Sequence, residues 1–391
     1  MITLYGKTLV FGDLHIGNKS DSLSRLMVNV NFVEYLLKYI SKNKIDNIIF
    51  LGDWFNSREF VNTITLSVGY ELVSLLAKNV KQFVFILGNH DFESNSYQYA
   101  SSVIGYDSIQ NVHLIKEPTD GILNSKHVLF VPWGFSSKPM DSKCSFLFGH
   151  FNLPNSCIRY NQVSVSNLDD LTEDMVSIND IREFCNDCLD IGGIGFSGHI
   201  HCRTEQTYKQ NRIIFVGSPF EMTFGEMNSP HGFYVLDSEN NISFEETKCD
   251  ASIPKHVVLR LSDCFDNDGK IKDKKSFANL KGNIVKKIID KDLTSAESMK
   301  LNELLNSLKI FEFGESEYGS LMNSGLSENG QQQTIDNSSD NASMLTLDSY
   351  FDTVIQAIDD NTLQSANVTK EELKECFLSY VSRVNGLSEL T

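Results

Sequence analysis

Five short segments of the sequence carry the carboxylate, amide and imidazole groups that bind divalent metal ions. The segments are FGDLHIG, LGDWFNSR, LGNHDF, FGHFN and SGHIHC, and their candidate ligands are Asp13, His15, Asp53, Asn89, His150, His199 and His201. Such donors suit Mn, Fe or Zn. A single histidine after a strand is more often a satisfied core residue, but five such segments favour a shared site. Seven ligands exceed the needs of one ion, so we expect two ions that share a carboxylate.

Each segment follows an apolar run that is typical of a β-strand. The runs TLVFGD (8–13), NIIFLGD (47–53) and FVFILGN (83–89) alternate with amphipathic helical patterns that follow Asp21 and Asn62. This order predicts a mostly parallel sheet, and ligands of such sheets gather at the carboxyl ends of the strands. Later runs predict further strands at 127–133, 145–150, 194–201, 212–219 and 232–237. The expected fold is therefore α/β, a two-sheet β-sandwich flanked by helices in four layers.

Composition indicates a globular protein of two to three domains, since the chain has 391 residues of which 41% are hydrophobic. No apolar run approaches the roughly 18 residues of a membrane span, and the N-terminus lacks the pattern of a signal peptide. We therefore expect a cytoplasmic protein without a membrane partner. The eight cysteines are scattered, and the one close pair, Cys185 and Cys188, lacks the second pair that a zinc site needs. Ordinary thiols are the expectation.

Charge is unevenly distributed along the chain. The formal net charge of −17 disfavours binding to nucleic acid, but residues 251–310 contain 12 Lys and Arg against 8 Asp and Glu, a net charge of +4. Residues 314–343 are rich in Ser, Asn, Gly and Gln, as in a linker. We expect four parts: a catalytic domain (1–250), a small α+β capping domain (251–313), a linker (314–344) and a helical tail (345–391).

The order and spelling of the five segments resemble the calcineurin-like metallophosphoesterases, whose pattern is D-x-H, G-D, G-N-H-D/E, G-H and G-H-x-H. The match extends over about residues 8–237. Within that superfamily the chain is most similar to the SbcD and Mre-eleven type DNA nucleases, which include the recombination-nuclease subunits of large phages. The narrower resemblance depends on G-D-x-H-x-G, on GNHD, and above all on the block VGSPFEMTFGEMNSPHGFYVLD. A phage source fits this spelling.

The resemblance implies a role for each matching residue. Asp13, His15, Asp53 and His201 would hold one ion, and Asn89, His150 and His199 would complete the second, with Asp53 bridging. His90 would stabilise the transition state or protonate the leaving oxygen, while we interpret Asp91 as a structural cap. Three residues after the bridging aspartate, the superfamily generally has an Asp or His that supports the catalytic histidine. This chain has Asn56 at that position. An amide accepts a hydrogen bond but cannot stabilise an imidazolium by charge.

Other polar residues have more ambiguous roles. Arg58 and Lys19 follow two of the ligand loops, and either residue could bind phosphate or simply be solvated. The lysines of 251–310 suggest contacts to the DNA backbone, although charge runs are usually solvated faces. In the resembling nucleases a C-terminal helical pair tethers the chain to an SMC-like ATPase, SbcC in bacteria. The apolar face of 345–385 could do the same, or it could pack on its own protein.

The sequence and the resemblance together predict a Mn²⁺-dependent DNA nuclease that acts on duplex ends in recombination and repair. Mg²⁺ and Fe²⁺ are the alternative metals. We expect a homodimer that is partnered with an SbcC-like ATPase. Two alternatives stay open: a phosphomonoesterase or cyclic-nucleotide phosphodiesterase with the same ion pair, and a non-catalytic scaffold. The first should act on nitrophenyl esters and ignore DNA, and the second should show no gain in melting temperature on addition of Mn²⁺.

Overall fold

The computed structural model describes residues 1–58, 60–91, 101–134, 143–151, 159–160, 163–164, 188–250 and 252–317. The chain divides into two compact units, 1–326 and 327–391, and the described residues all lie in the first. The predicted helical tail and most of the predicted linker are therefore outside the described residues. The same is true of Cys185, whereas Cys188 is a buried free thiol.

Strands dominate the described residues. In chain order they are β1 (Ile2–Leu4), β2 (Thr8–Phe11), β3 (Asn47–Phe50), β4 (Gln82–Ile86), β5 (Val112–Ile115), β6 (Thr119–Leu123), β7 (Lys126–Val131), β8 (Cys144–His150), β9 (Arg159–Tyr160), β10 (Val163–Ser164), β11 (Leu189–Gly198), β12 (Thr204–Tyr208), β13 (Asn211–Phe215), β14 (Gly232–Leu236), β15 (Ile242–Glu246), β16 (His256–Arg260), β17 (Ile284–Ile289) and β18 (Glu312–Glu317). The longer helices are α1 (Leu23–Asn43), α2 (Thr63–Lys78) and α3 (Ser295–Asn306). The prediction of a mixed α/β fold is confirmed.

The first sheet has the strand order β15-β14-β2-β3-β4-β5, and its four strands from β2 to β5 are parallel. Successive side chains point to opposite faces of these strands. Phe11, Phe50 and Phe85 pack in one cluster with the buried faces of α1 and α2. Val10 and Ile49, on the other face, pack with residues of the second sheet. Burial on both faces explains why these strands are continuous apolar runs.

The second sheet has the order β1-β6-β7-β8-β11-β13-β12. Its central strands β7, β8, β11 and β13 are parallel to one another. Phe130, Phe148 and Phe196 project towards the first sheet and share its apolar cluster. Two strands of this sheet therefore end side by side, at His150 and Gly198, which are paired in register.

Both helices that flank the first sheet begin near the predicted positions. Asn62 caps α2, because its side chain accepts a hydrogen bond from the amide of Ile64 at 2.9 Å. Before α1 the chain makes a short left-handed turn, in which Lys19, Ser20 and Asp21 have φ angles of 58°, 55° and 59°. Within the described ranges, none of the helices combines the length and the apolar composition that a bilayer span requires.

Residues 256–317 form a separate small sheet with its own core. Strands β16, β17 and β18 are all parallel, and α3, with a capping box between Thr294 and Glu297, packs on them. Strand β18 continues through residues 314–317, the first four residues of the segment that composition predicts as a linker. Arg25 of α1 donates to Glu312 Oε2 at 2.8 Å, and Asn31 donates to the carbonyl of Ser252. These contacts attach the small sheet to α1.

We predict that Arg25→Ala destabilises the contact between α1 and the small sheet. The Arg25 side chain is only 6% exposed, whereas its partner Glu312 is 39% exposed. The loss should therefore be about 1.5–3 kcal/mol, the value of a hydrogen bond to a charged group, since the freed carboxylate reaches water. Urea denaturation measures the change. The matched control is Arg212→Ala, which removes an ion pair with both partners exposed, and an equal loss in the two variants would contradict the prediction.

Candidate metal centre

The predicted ligands follow the carboxyl ends of neighbouring parallel strands. Asp13 lies two residues beyond β2, Asp53 three beyond β3 and Asn89 three beyond β4, while His150 is the last residue of β8. The loops are joined by backbone hydrogen bonds, since the amide of Asp13 donates to Gly52 O and the amides of Leu14 and His15 donate to Asp53 O. The structure thus brings residues from five separate segments into one cluster.

Asp53 lies at the middle of this cluster, and its carboxylate is almost fully buried. One oxygen, Oδ1, accepts a hydrogen bond from the amide of His90 at 2.8 Å. The other oxygen, Oδ2, lies 3.5 Å from His15 Nε2 and 3.4 Å from His150 Nε2. A single carboxylate oxygen therefore faces both groups of predicted ligands, as a bridging ligand must.

One group consists of Asn89, His150 and His199. Asn89 Oδ1 lies 2.9 Å from His150 Nε2 and 3.0 Å from His199 Nδ1. His150 Nδ1 faces the carbonyl oxygen of Leu51 at 2.7 Å, so in the neutral ring the proton belongs on Nδ1 and Nε2 carries the lone pair. With the amide turned over, its NH₂ group would donate to both rings and its oxygen would accept from Arg58 at 2.5 Å. In the first orientation, the amide oxygen of Asn89 and the two ring nitrogens can direct their lone pairs at a common point, as cation binding requires.

The other group consists of Asp13, His15 and His201, whose donor atoms lie within 4.8 Å of one another. The rings of His15 and His201 approach with their Nε2 atoms 3.0 Å apart. Asp13 Oδ1 accepts from the amide of His199 at 2.8 Å, whereas its Oδ2 is buried with no partner among the described residues. His15 Nδ1 also lacks a partner there. A buried carboxylate oxygen without a donor is costly unless a cation balances it.

The donor set fits a pair of small divalent cations. Ligands about 2.1 Å from a six-coordinate ion lie about 3 Å apart when adjacent. The separations of 2.9 and 3.0 Å at Asn89 and of 3.0 Å between His15 and His201 have this size. The donors are oxygen and imidazole nitrogen only, which suits Mn or Fe better than a thiolate-selective metal.

Glu226 was not predicted as a site residue, yet it supports the group that contains His201. Its Oε1 faces His201 Nδ1 at 3.1 Å, and its Oε2 accepts from the amide of Met222 at 2.8 Å. Glu226 is only 1% exposed. A carboxylate behind a ligand histidine fixes the tautomer and makes the outer nitrogen a stronger donor. The block FGEMNSP contains Glu226, but nothing in its local spelling indicates that the carboxylate points at His201.

The pKa values in the cluster are set by burial and by neighbouring charges. Burial raises the pKa of Asp13 to about 6, although His150 and His201 oppose the shift. Burial also acts to raise the pKa of Asp53, but the adjacent His150 imidazole brings it well below the usual range. Burial lowers the pKa of His199 to about 3, so this ring is neutral, as a metal ligand must be. At His201 burial acts downward, but the bond to Glu226 prevails and raises the pKa to about 9.

Four of the seven predicted ligands have backbone conformations that residues other than glycine rarely adopt. The φ angles of Asp13, His15, Asp53 and His199 are 53°, 44°, 61° and 80°. Such conformations cost about 1–3 kcal/mol each and persist where the surrounding structure fixes them, often at functional sites. Close approach adds a constraint at Gly88, where a Cβ atom would lie 2.5 Å from the amide nitrogen of Asp53. The strand-end glycine therefore makes room for the neighbouring loop.

Asp91 has the structural role that its position after a strand suggests, and it bonds to two loops instead of capping a single turn. The side chain is fully buried. Oδ2 accepts from the amides of Asp53 and Gly88, each at 2.8 Å, and Oδ1 accepts from the amide of Trp54 at 2.9 Å. One carboxylate thus joins the loop that carries Asp53 to the loop that carries Asn89.

His90 lies beside the cluster, its ring 4.8 Å from that of His15. Its Nδ1 is 2.6 Å from the backbone carbonyl oxygen of Asn56. This contact is made by the main chain of Asn56 and not by its side-chain amide, so any residue at position 56 could provide it. Burial lowers the pKa of His90, against the opposing charge of Asp53. Arg58 is exposed next to Asn89, while Lys19 is exposed on the left-handed turn.

Comparisons with known proteins found similarity to a protein family, to a phage protein and to a solved structure. The family described as calcineurin-like phosphoesterase matches residues 6–203, which is half of the chain. A protein named exonuclease subunit 1, from Enterobacteria phage T4, is 25% identical over 312 residues, which cover 78% of this chain and 83% of the phage protein. A solved structure of Yfce, a phosphoesterase from E. coli, is 11% identical with a TM-score of 0.32, and the match covers 61% of this chain and 98% of that one.

We predict that Asp91→Asn destabilises the protein by about 1–3 kcal/mol, because the new NH₂ group must face a buried amide donor that now has no acceptor. Urea denaturation of metal-free protein measures the change without a contribution from bound ions. Asp107→Asn, which affects an exposed ion pair with Lys116, is the control. The structural role of Asp91 is refuted if the two variants unfold at the same urea concentration.

We predict that Glu226→Gln lowers Mn²⁺ affinity about 10- to 100-fold, the usual effect of losing a carboxylate behind a ligand histidine. Calorimetric titration with Mn²⁺ at fixed pH gives the affinity. Glu205→Gln, on an exposed strand and paired with Arg212, is the matched control. Equal affinities for the two variants would mean that Glu226 does not act through His201.

Proposed function

Because this chain belongs to the calcineurin-like phosphoesterase family, we propose that it is a nuclease that hydrolyses DNA phosphodiester bonds with two divalent cations. Mn²⁺ is the proposed metal, with Mg²⁺ and Fe²⁺ as alternatives. The observation that carries the proposal is the position of Asp53 Oδ2, within 3.5 Å of a ring nitrogen from each ligand group. Asp13, His15 and His201 would hold one ion and Asn89, His150 and His199 the other, with Asp53 between them.

Two divalent cations held by these residues would supply an activated water and would stabilise negative charge on the phosphate oxygens. The chain's own contribution is to hold the ligand side chains in place before the substrate arrives. Leu51 O and Glu226 orient His150 and His201 so that the Nε2 of each points inward. Asp91 fixes the backbone of Asp53, which in turn fixes His90 through its amide. Such preorganisation lowers the reorganisation needed in the transition state.

His90 is the proposed proton donor to the leaving oxygen. Its Nδ1 bonds to Asn56 O, and a neutral imidazole with that tautomer carries a lone pair on Nε2. Nε2 must therefore gain a proton before it can give one. The negative phosphate, close to the ring in a bound complex, favours that protonation. The main-chain support from Asn56 means that the Asp or His usual at this position in the superfamily is not needed to orient the ring.

Two observations support DNA as the substrate. The phage relative is named an exonuclease subunit, and residues 251–310, which include most of the small sheet, have a net charge of +4. Lys270, Lys274, Lys275 and Lys281 are exposed there and could contact the DNA backbone without reading bases. Arg58 and Lys19, exposed near the centre, are further candidates for phosphate contacts. Action at duplex ends, and a part in recombination and repair, belong to the same proposal.

The relative's designation as a subunit also supports an assembly. We propose two partners for the chain. One is an SbcC-like ATPase that binds the tail, residues 345–391, and the other is a second copy of the chain in a homodimer. On α2, Leu66 and Tyr70 lie one turn apart and are 40% and 47% exposed, so they could contribute to an apolar contact. The tail lies outside the described residues.

We predict that the wild type degrades end-labelled linear duplex DNA with Mn²⁺ and that His90→Asn lowers the rate about 10²- to 10⁴-fold, as loss of a general acid does. Gel electrophoresis measures the rate, with and without the ATPase. The His90 variant should retain its metal, as elemental analysis can determine. The control is His127→Asn, which removes a partly buried histidine that is paired with Asp120 away from the predicted ligands.

Small nitrophenyl phosphate esters separate the alternatives. Hydrolysis of these esters together with inertness towards DNA would replace the nuclease by a small-substrate esterase. No bound metal, and no rise in melting temperature with Mn²⁺, would leave a non-catalytic scaffold.

A further inference from the structure

Trp133 lies against the group formed by Asn89, His150 and His199. The chain has two tryptophans. Trp54 is fully buried in the core, whereas Trp133 is half-buried. The centroid of the Trp133 ring is 4.9 Å from that of His199 and 5.8 Å from that of His150. An indole thus forms part of the wall beside two predicted metal ligands.

The position of Trp133 is fixed by its backbone. It follows β7 after Pro132, and its amide donates to Leu87 O at 2.9 Å, two residues before Asn89. Trp133 belongs to none of the hydrophobic clusters found among the described residues, although Val131 two residues earlier does. Its ring therefore contributes little to the core and is available at the edge of the centre.

We propose that Trp133 stacks on a nucleobase next to the scissile phosphate and makes the centre selective for nucleic-acid phosphodiesters. The inference rests on the proposed function and adds a residue for substrate selection. A base is joined to its phosphate through one sugar, so a ring that contacts two predicted ligands is within a nucleotide's reach of the reacting phosphorus. Stacking on an aromatic face is tolerant of sequence, because every base has a π face. That suits a nuclease without base readout.

The first experiment compares cleavage of a blunt duplex with cleavage of the same duplex carrying an abasic residue at the cleaved nucleotide. Stacking of one base on an aromatic ring corresponds to a preference of roughly 5- to 150-fold for the intact strand. The wild type should show that preference in kcat/KM. Trp133→Phe, which keeps an aromatic ring, should retain part of it, and Trp133→Leu should cleave the two duplexes equally well.

The second experiment uses the fluorescence of Trp133 in a His90→Asn background, where cleavage is slow. Intact duplex should quench the emission and abasic duplex should not. In Trp133→Phe only the fully buried Trp54 remains, so the quenching should disappear. Because this signal reports the binding of DNA, it does not depend on the rate at which the metal-bound enzyme cleaves.

Four outcomes would overturn the inference. If Trp133→Leu keeps the wild-type preference for intact duplex, the ring does not contact the base. If Trp133→Leu lowers Mn²⁺ affinity in parallel with discrimination, the ring acts by orienting His199 instead. If the wild type cleaves no duplex, the proposed nuclease function fails and the inference fails with it; a wild type that cleaves both duplexes equally removes the stacking role alone.

Discussion

The centre depends on a buried carboxylate that is shared in three directions. Asp53 gives one oxygen to the amide of His90 and the other to the space between His15 and His150. A buried charge of this kind is tolerated only when it is paired and hydrogen-bonded. The imidazoles and amides around Asp53 meet that requirement in part, and a cation on each side would complete it. The need to balance the buried negative charge of Asp53 thus explains why several histidines surround it and why we expect metal ions there.

The surrounding fold has to offset the strain that this arrangement imposes. Four candidate ligands have left-handed backbone conformations, and Gly88 approaches Asp53 closely enough to exclude a side chain. Two apolar clusters, one between the sheets and one under α1 and α2, stabilise the fold and so offset the free-energy cost of these strained conformations. Asp91 then joins the loop that carries Asp53 to the loop that carries Asn89, because it accepts hydrogen bonds from backbone amides of both loops. The ligands are consequently held before any substrate binds.

Sequence reasoning found the parts of this site that local patterns encode. Continuous apolar runs placed β2, β3, β4, β8 and β11, and the polar residues at or just beyond their ends are the seven predicted ligands that the structure brings together. It missed Glu226 because the approach of that carboxylate to His201 depends on how a loop after β13 folds back, which no periodicity records. The main-chain contact of His90 was not visible in the sequence for a related reason. Side-chain identity at Asn56 is visible in a sequence, whereas the direction of its carbonyl is not.

The two ligand groups are unequal in charge, and this asymmetry bears on how the proposed ion pair would work. One group has the carboxylates of Asp13 and Asp53, with Glu226 behind His201. The other has only Asp53, a neutral amide from Asn89, and a backbone carbonyl behind His150. Carboxylate ligands and carboxylate-backed imidazoles bind divalent cations more strongly. The second position would therefore be the weaker one, and a phosphate oxygen of the substrate would supply the negative charge that it lacks. On this view substrate and second ion bind together, which ties assembly of the reactive centre to the presence of a phosphodiester.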